Sequence, residues 1–275
     1  MSVGNVVEAY QKSDKVLKLS QKLQSPGNSF VQLKGLSGSS VSFVVSALAP
    51  LVNIPSLYIL PDKEEAAYFL NDLERLLGKD NVLFFPQSYR KPYEVEHIDN
   101  SNILLRAEVL NKILHSSAPV HIVSYPEALT EKVVTKSHLS KNTLEIQLKE
   151  KVSIEFIIDV LNEYGFERID YVIEPGKFSV RGGIVDIFSY SEEQPYRLEF
   201  YGDEVDSIRT FDPSTQLSVS TFEKAIIIPN VQGKLVKESR QPFLEYLPDN
   251  TILWIRETQL SLDRMDKEYT NAVNV

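Results

Sequence analysis

The stretch RIDYVIEPGKFSVRGGIVDIFSYSEEQPYRLEFYGDEVDSIRTF, residues 168–211, decides the fold of this 275-residue chain. Short runs rich in Val, Ile, Phe and Tyr alternate there with turn residues, a pattern that predicts successive strands. The predicted strands are Arg168–Glu174, Phe178–Arg181, Gly183–Ser189, Tyr196–Phe200 and Val205–Phe211. Tyr201-Gly202-Asp203-Glu204 predicts a hairpin turn between the last two, so the block indicates a mainly antiparallel sheet.

Upstream of this block the pattern is different, because apolar strands alternate with amphipathic helices. The predicted strands are Ser29–Leu33, Ser56–Leu60, Val82–Phe85 and Val120–Ser124. The predicted helices are residues 1–25, Ser42–Val52, Asp62–Leu77 and Asp99–Leu114. Alternation of this kind is typical of a parallel sheet that helices cover on both faces.

The block at 168–211 is therefore predicted to belong to an insertion. Leu144–Leu148 predicts a strand and Ile154–Tyr164 a helix just before it, and the α/β alternation resumes after it. The later predictions are a strand at Ala225–Ile228, a helix at Val236–Leu247, a strand at Thr251–Arg256 and a helix at Gln259–Ala272. The predicted fold class is α/β: a degenerate P-loop-like domain with a parallel sheet, formed by residues 1–130 and 223–275. An α+β, mainly antiparallel domain of residues 131–222 is inserted into it.

Charge and composition narrow the possible partners. The chain has 29 Lys and Arg against 38 Asp and Glu, a net charge of -9, which argues against a chain-wide electrostatic grip on nucleic acid. Residues 131–222 hold 10 Lys and Arg against 17 Asp and Glu, a net charge of -7, which favours a protein surface over a DNA clamp. The absence of cysteine excludes thiolate chemistry and fits a reducing compartment, and no apolar run of about 18 residues predicts a membrane span. We therefore expect a cytoplasmic protein with no membrane partner.

The loop at 35–42 is compared with the phosphate-binding pattern G-x-x-x-x-G-K-[ST], which lies between a strand and a helix. Gly35 and Ser42 are in register with that pattern and Gly38 adds a further glycine, but Ser40 replaces the second glycine and Val41 replaces the lysine. Valine cannot supply the positive charge that the lysine places on the β- and γ-phosphates. Two interpretations stay open: a P-loop relic that does not hydrolyse nucleotide, or an unrelated Gly/Ser-rich turn.

Other catalytic patterns are missing from the sequence. The four histidines have no metal-ligand spacing, and no G-x-S-x-G nucleophile elbow occurs; the histidines are His97, His115, His121 and His138. No catalytic residue and no metal site is predicted.

Arg181 is the first candidate for a binding residue, because it precedes the pair Gly182-Gly183. The backbone can bend at such a pair and aim the guanidinium outward. Arginine suits protein interfaces, since it combines a planar fork of donors with an apolar stem. The spacing leaves an alternative open, in which Arg168 and Arg181 only pair with neighbouring acidic residues.

The run Phe178–Phe188 and the following run Tyr196–Arg209 with Phe211-Asp212 resemble the UvrB-like amino-terminal module of the bacterial transcription-repair coupling factors, the Mfd family. UvrB carries a similar stretch. The segment from Phe85-Pro86 to Pro92-Tyr93 and Arg106 on the next helix support the resemblance, which covers most of residues 28–230.

The resemblance implies a first domain without working helicase motifs and a second domain that docks UvrA. By motif position it implies that Arg168 and Arg181 contact UvrA, with Phe188 as a lesser candidate, while Ser179 stands where UvrB has a further arginine. It also implies that RNA polymerase, double-stranded DNA, ATP and Mg²⁺ are bound through regions outside this chain, so no cofactor is expected here.

Three hypotheses about function follow. The first is a non-catalytic recruitment module that brings UvrA to RNA polymerase stalled at DNA lesions in nucleotide excision repair. The second is a nucleotide-dependent, UvrB-like DNA-loading enzyme, which would need a lysine where Val41 stands. The third is a stand-alone α/β binding domain with an unrelated partner.

Overall fold

The computed structural model describes residues 3–27, 29–88, 100–116, 118–230 and 240–273. The chain divides into two compact units. The first consists of Met1–Gln87, His115–Glu131 and Leu247–Val275, and the second of Ser88–Leu114 and Lys132–Tyr246. The chain is thus a mixed α/β protein with one main sheet in each unit, a parallel sheet in the first and a mainly antiparallel sheet in the second.

A four-stranded parallel sheet forms the centre of the first unit. Its spatial order is β14 (Ile252–Ile255), β1 (Ser56–Ile59), β3 (His121–Ser124) and β2 (Val82–Phe84). Every residue of β1 and β3 is buried, which is the pattern of inner strands in a parallel sheet. The parallel sheet predicted from the sequence is confirmed.

The helices of the first unit follow the predicted periodicity except at the start. They are α1 (Val3–Gln11), α2 (Asp14–Gln24), α3 (Ser40–Val52), α4 (Lys63–Leu77), α6 (Pro126–Leu129) and α10 (Thr258–Val273). The single helix predicted for residues 1–25 is wrong, because extended backbone at Ser13 separates α1 from α2. The break lets Tyr10 of α1 stack on Phe43 and lets Val16 of α2 pack beside Leu48, both of α3.

The strand predicted at Ser29–Leu33 is also wrong. These residues form neither strand nor helix, and the side chain of Phe30 is fully exposed. An apolar run becomes a strand only when another strand satisfies its backbone donors and acceptors, and no strand among the described residues pairs with this one. The loop at 35–42 therefore lacks the strand that should precede a phosphate-binding loop.

A six-stranded sheet forms the centre of the second unit, and its neighbouring strands are antiparallel except β6 and β7, which are parallel. Its spatial order is β11 (Ser218–Thr221), β10 (Glu204–Phe211), β9 (Tyr196–Tyr201), β8 (Ile184–Ile187), β7 (Lys177–Arg181) and β6 (Glu167–Arg168). The mainly antiparallel sheet is confirmed. The strand predicted over Arg168–Glu174 is wrong beyond its first residue, because the following residues leave the sheet.

Smaller elements complete the second unit. They are the helices α5 (Asn100–His115), α7 (Lys136–Lys141), α8 (Ile154–Glu163) and α9 (Phe243–Tyr246), and the strands β4 (Val133–Val134), β5 (Leu144–Gln147), β12 (Lys224–Ile227) and β13 (Arg240–Gln241). The strand expected to return to the parallel sheet, β12, instead pairs antiparallel with β5. The helix predicted at Val236–Leu247 lies partly outside the described residues, and its described part is β13 followed by α9.

The core of the second unit lies on one face of the six-stranded sheet. Phe178 of β7, Val185 of β8 and Leu198 of β9 are fully buried there with Ile157 and Leu161 of α8. The start of α8 is capped by Ser153, whose hydroxyl accepts a hydrogen bond from the backbone N–H of Phe156 at 3.2 Å. Because strand side chains alternate between faces, the intervening residues lie on the opposite face.

In the part of the chain that the structure describes, no helix is both long enough and apolar enough to span a bilayer.

Candidate functional site

The candidate site lies on the face of the six-stranded sheet that is opposite the core. In the β7–β8 pair, Phe178 is aligned with Ile187 and Val180 with Val185, all apolar. The alternate positions hold Arg181 and Asp186, which are therefore on the other face. This face carries charged side chains and a second, smaller apolar cluster.

Asp186 is the centre of the charged group, and only 1% of its surface is exposed. Its carboxylate accepts a hydrogen bond from Nη2 of Arg181 at 2.6 Å, and bonds from Nε and Nη2 of Arg197 at 2.7 and 2.9 Å. One buried negative charge is thus shared by two arginines, the arrangement that makes a buried carboxylate tolerable.

Arg197 is fixed by contacts with Asp186, Phe211 and Gln216. Its guanidinium carbon lies 4.1 Å from the ring centroid of Phe211, and its Nη2 donates to Oε1 of Gln216 at 3.1 Å. The hydrogen bond to Asp186 raises the pKa of Arg197, although burial acts in the opposite direction. Arg197 therefore has a structural role and anchors Asp186.

Arg181 is held less completely and stays accessible. Its guanidinium carbon lies 5.4 Å from the ring centroid of Tyr171, and 42% of its side chain is exposed. Since a guanidinium has five N–H donors and Asp186 uses one nitrogen, donors remain for another acceptor. Arg181 thus pairs with a neighbouring acid, as the alternative interpretation expects, and its guanidinium is also partly exposed to solvent.

Arg168 lies in β6 at the edge of the sheet and is exposed. Among the residues that the structure describes, no carboxylate lies within ion-pair distance of its guanidinium, unlike those of Arg181 and Arg197. Arg168 is aligned with Phe178 in the parallel ladder, and Arg181 comes three residues later on β7. Because side chains alternate along a strand, Arg168 and Arg181 lie on opposite faces of the sheet, both near its β6 edge. A partner that contacts both arginines must therefore extend around β6.

The segment Ile169–Gly176, which we call the 169–176 loop, packs on the candidate face. Val172 is 1% exposed and forms a cluster with Phe188 and Phe211, against which Ile169 also packs. Phe188 is 6% exposed, so the structure gives it a packing role under this loop. Its role as a partner contact stays a prediction.

Gly176 closes the 169–176 loop. Its φ is +78°, and a Cβ atom there would overlap the hydroxyl of Tyr190 and lie 2.7 Å from Cζ of that ring. Its N–H donates to the carbonyl of Phe188 at 2.8 Å, and its carbonyl accepts from the N–H of Glu167 at 2.9 Å. The loop end therefore requires glycine for both backbone conformation and space.

Gly176→Ala is expected to lower the free energy of unfolding by about 2–4 kcal/mol, since positive φ and overpacking both disfavour the new methyl group. The measurement is urea denaturation followed by circular dichroism. The matched control is Gly202→Ala, because Gly202 has a φ of +63° and open space around it. The control is expected to lose about 1 kcal/mol from the backbone conformation alone. Equal losses in the two variants would show that the Tyr190 contact is unimportant.

The loop at 35–42 is held partly by hydrogen bonds of its own serine side chains. Helix α3 begins at Ser40, whose hydroxyl accepts from the N–H of Ser37 at 2.8 Å and donates to the Ser37 carbonyl at 2.7 Å. Gly35 and Gly38 have positive φ angles of 80° and 53°. Ser42 is buried and donates to Oδ2 of Asp72 at 3.0 Å, and Val41 carries no charge. The structure does not confirm a P-loop-like fold.

Metal sites are absent from the described ranges, where no group of three or more His, Asp or Glu residues is placed to hold an ion. His121 instead lies 3.0 Å from the hydroxyl of Tyr58, and burial lowers the pKa of His121. His97 lies outside the described residues.

Sequence reasoning missed the residues that hold Arg181 in place, Asp186 and Tyr171. A usable signal was present for Asp186, because a lone acid in the apolar run Ile184–Phe188 needs a cationic partner if its strand is buried. No comparable signal pointed to Tyr171, since its contact with Arg181 depends on how the 169–176 loop folds back.

Comparison with known proteins shows which families this chain resembles. Residues 144–232 match the UvrB interaction domain family. The chain is 34% identical over 198 residues to the transcription-repair-coupling factor of Bacillus subtilis strain 168, covering 72% of this chain and 17% of that protein. It is 27% identical over 216 residues to the transcription-repair-coupling factor of Myxococcus xanthus, covering 76% of this chain and 18% of the relative. UvrABC system protein B of Campylobacter hominis is 26% identical over 227 residues, covering 78% of this chain and 34% of that protein.

The antiparallel sheet with its arginine-bearing face thus lies within a UvrB interaction domain. Over 72% to 78% of its length the chain is similar to the transcription-repair-coupling factors and to UvrB, which confirms the resemblance seen in its sequence. It spans about a sixth of the coupling factors and about a third of the UvrB relative that it matches.

Proposed function

We propose that this chain is a non-catalytic docking module of UvrA-linked nucleotide excision repair, the UvrB-like amino-terminal part of a transcription-repair coupling factor. Its task is to recruit UvrA to RNA polymerase stalled at a DNA lesion. The observation that carries the proposal is the exposed guanidinium of Arg181, fixed between Asp186 and Tyr171 inside a UvrB interaction domain.

We assign UvrA binding to the second unit, which contains most of the inserted domain predicted at residues 131–222, and a scaffold role to the first unit. The family match over residues 144–232 and the separate core of the six-stranded sheet support this assignment. RNA polymerase, double-stranded DNA, ATP and Mg²⁺ are assigned, as the resemblance implies, to regions of a coupling factor outside these residues.

The geometry of Arg181 suits recognition of a carboxylate on the partner. Its guanidinium is already oriented by Asp186 and Tyr171, so binding orders few additional rotamers. The planar fork favours a bidentate contact with a carboxylate. Because residues 131–222 carry a net charge of -7, a general acidic surface is repelled, and the two arginines select a partner with acids at matching places.

The loop at 35–42 supports a module without nucleotide chemistry. The N–H of Ser37, which a phosphate would need, is bonded to the Ser40 hydroxyl, and the Ser42 hydroxyl is bonded to Asp72. Val41 supplies no charge for a β- or γ-phosphate. These features disfavour the DNA-loading enzyme as the function of this chain.

The proposal is tested by measuring binding of the whole chain to immobilised UvrA from the same organism. We expect the wild-type chain to bind, and Arg168→Ala to bind about tenfold more weakly, because the exposed guanidinium of Arg168 is available to the partner. Lys151→Ala is the control, since Lys151 is an exposed cation of the same unit. A wild-type chain that never binds UvrA contradicts the proposal.

A further inference from the structure

Two large side chains of the 169–176 loop are exposed, and one of them lies beside Arg181. Tyr171 and Ile173 are each 64% exposed, whereas Val172 between them is 1% exposed. The loop thus alternates in the manner of a strand, with one residue buried and its two neighbours in solvent. Tyrosine and arginine side by side form the composition typical of interface hot spots.

The loop presents these side chains from a fixed backbone. Val172 is anchored against Phe188 and Phe211, and the N–H of Gly176 donates to the carbonyl of Phe188 at 2.8 Å. An ion pair of 3.5 Å between Lys177 and Glu174 closes its far end. Binding to such a loop costs little conformational entropy, because its backbone is already ordered.

Tyr171 connects the apolar side chains to the charged part of the site. Its ring lies against the guanidinium of Arg181, with 5.4 Å between the ring centroid and the guanidinium carbon, which is within cation–π range. The ring covers one face of the guanidinium and leaves edge donors accessible. The cation and the aromatic ring therefore adjoin, and the exposed aliphatic side chain of Ile173 is two residues further along the same loop.

We infer that Tyr171 and Ile173 are specificity-determining contacts of the UvrA-binding surface, and that UvrA presents to them an apolar pocket next to a carboxylate that takes Arg181. The inference rests on the proposed function and extends it from the arginines to the 169–176 loop. The surface is continuous with Arg181, and Asp186 neutralises only one of the two arginines that it bonds. A second copy of this acidic domain, with a net charge of -7, would be repelled, so we commit the surface to UvrA.

The experiment measures binding of whole-chain variants to immobilised UvrA at a temperature well below unfolding. Ile173→Asp is expected to weaken binding at least tenfold, roughly the effect of losing one buried anchor. Tyr171→Ala is expected to weaken binding about fivefold, and Tyr171→Phe to restore it, because the ring and not the hydroxyl makes the contact.

Matched controls come from the same sheet. Val219→Asp changes an exposed aliphatic residue on edge strand β11, and Tyr201→Ala removes a tyrosine that is 86% exposed at the β9–β10 turn. Both are expected to bind UvrA within about twofold of wild type, since most exposed residues contribute little to an interface. All variants are checked by thermal melts, since none of the four side chains is buried.

The outcomes separate this inference from the proposed function. If the wild-type chain binds UvrA and Arg181→Ala weakens it, but Ile173→Asp and Tyr171→Ala bind as wild type, the inference is overturned and the proposed function stands. Equal losses in Val219→Asp or Tyr201→Ala also overturn it, because the effect is then not local to the loop. Failure of the wild-type chain to bind overturns both.

Discussion

Replacing Arg181 by alanine is expected to weaken UvrA binding by about 2–5 kcal/mol, which corresponds to about 30-fold to several thousand-fold in Kd. The physical reason is that the partner carboxylate would be left desolvated with no donor to pair with. The fold should survive, because 42% of the Arg181 side chain is exposed and Asp186 keeps both of its bonds to Arg197. We expect a stability loss of about 1 kcal/mol or less.

Arg181→Lys is the informative companion variant. Lysine keeps the positive charge but has no planar fork to bond Asp186 and lie on the ring of Tyr171 together. Surface plasmon resonance against UvrA should therefore place it between wild type and Arg181→Ala. Binding of Arg181→Ala at the wild-type Kd, with an unchanged thermal melt, contradicts the assignment of this residue.

Asp186→Ala is expected to lower the free energy of unfolding by about 3 kcal/mol. The substitution leaves Arg197, whose side chain is only 13% exposed, without its carboxylate, and an unpaired charge above the ring of Phe211 is costly. Arg181 would also lose its anchor and become free to rotate. UvrA binding should therefore fall even at temperatures where the variant is folded.

Urea denaturation followed by far-ultraviolet circular dichroism measures the loss in free energy of unfolding of Asp186→Ala. Asp186→Asn should lose less, because the amide keeps an acceptor for one arginine, and Asp203→Ala should lose almost nothing, since Asp203 is exposed in the hairpin turn. A midpoint for Asp186→Ala equal to that of Asp203→Ala would show that the shared carboxylate does not stabilise the fold.

The local sequence pattern predicted strands correctly where the paired strands are close together in the sequence. The hairpin strands β9 and β10 and the strands β7 and β8 were predicted because each pair is joined by a short glycine-containing turn. The run at Ser29–Leu33 also favours extended backbone, but it has no partner strand among the described residues and did not form a strand. The residue types of a segment favour extended backbone, but the segment becomes a strand of a sheet only if another strand pairs with it.

The candidate site was only partly predictable for a related reason. The accessible position of Arg181 agrees with its place before a glycine pair, and its proposed role in binding UvrA rests on the family resemblance. Its partners did not, because Asp186 reaches it across a strand pair and Tyr171 reaches it from a loop. The β-branched residues of that loop predicted a strand, but burial of Val172 against Phe188 and Phe211 was more favourable than extending the ladder.

The amino-acid sequence by itself determined the class of each unit, a parallel α/β sheet and a mainly antiparallel one, because periodicity and turn residues act between neighbours in the chain. It also determined the kinship with coupling factors and UvrB. Only the tertiary structure decided that one buried carboxylate holds two arginines and that the 169–176 loop packs on Phe188 and Phe211. Those contacts arise from packing between residues on separate elements, and local preference does not encode which of them meet.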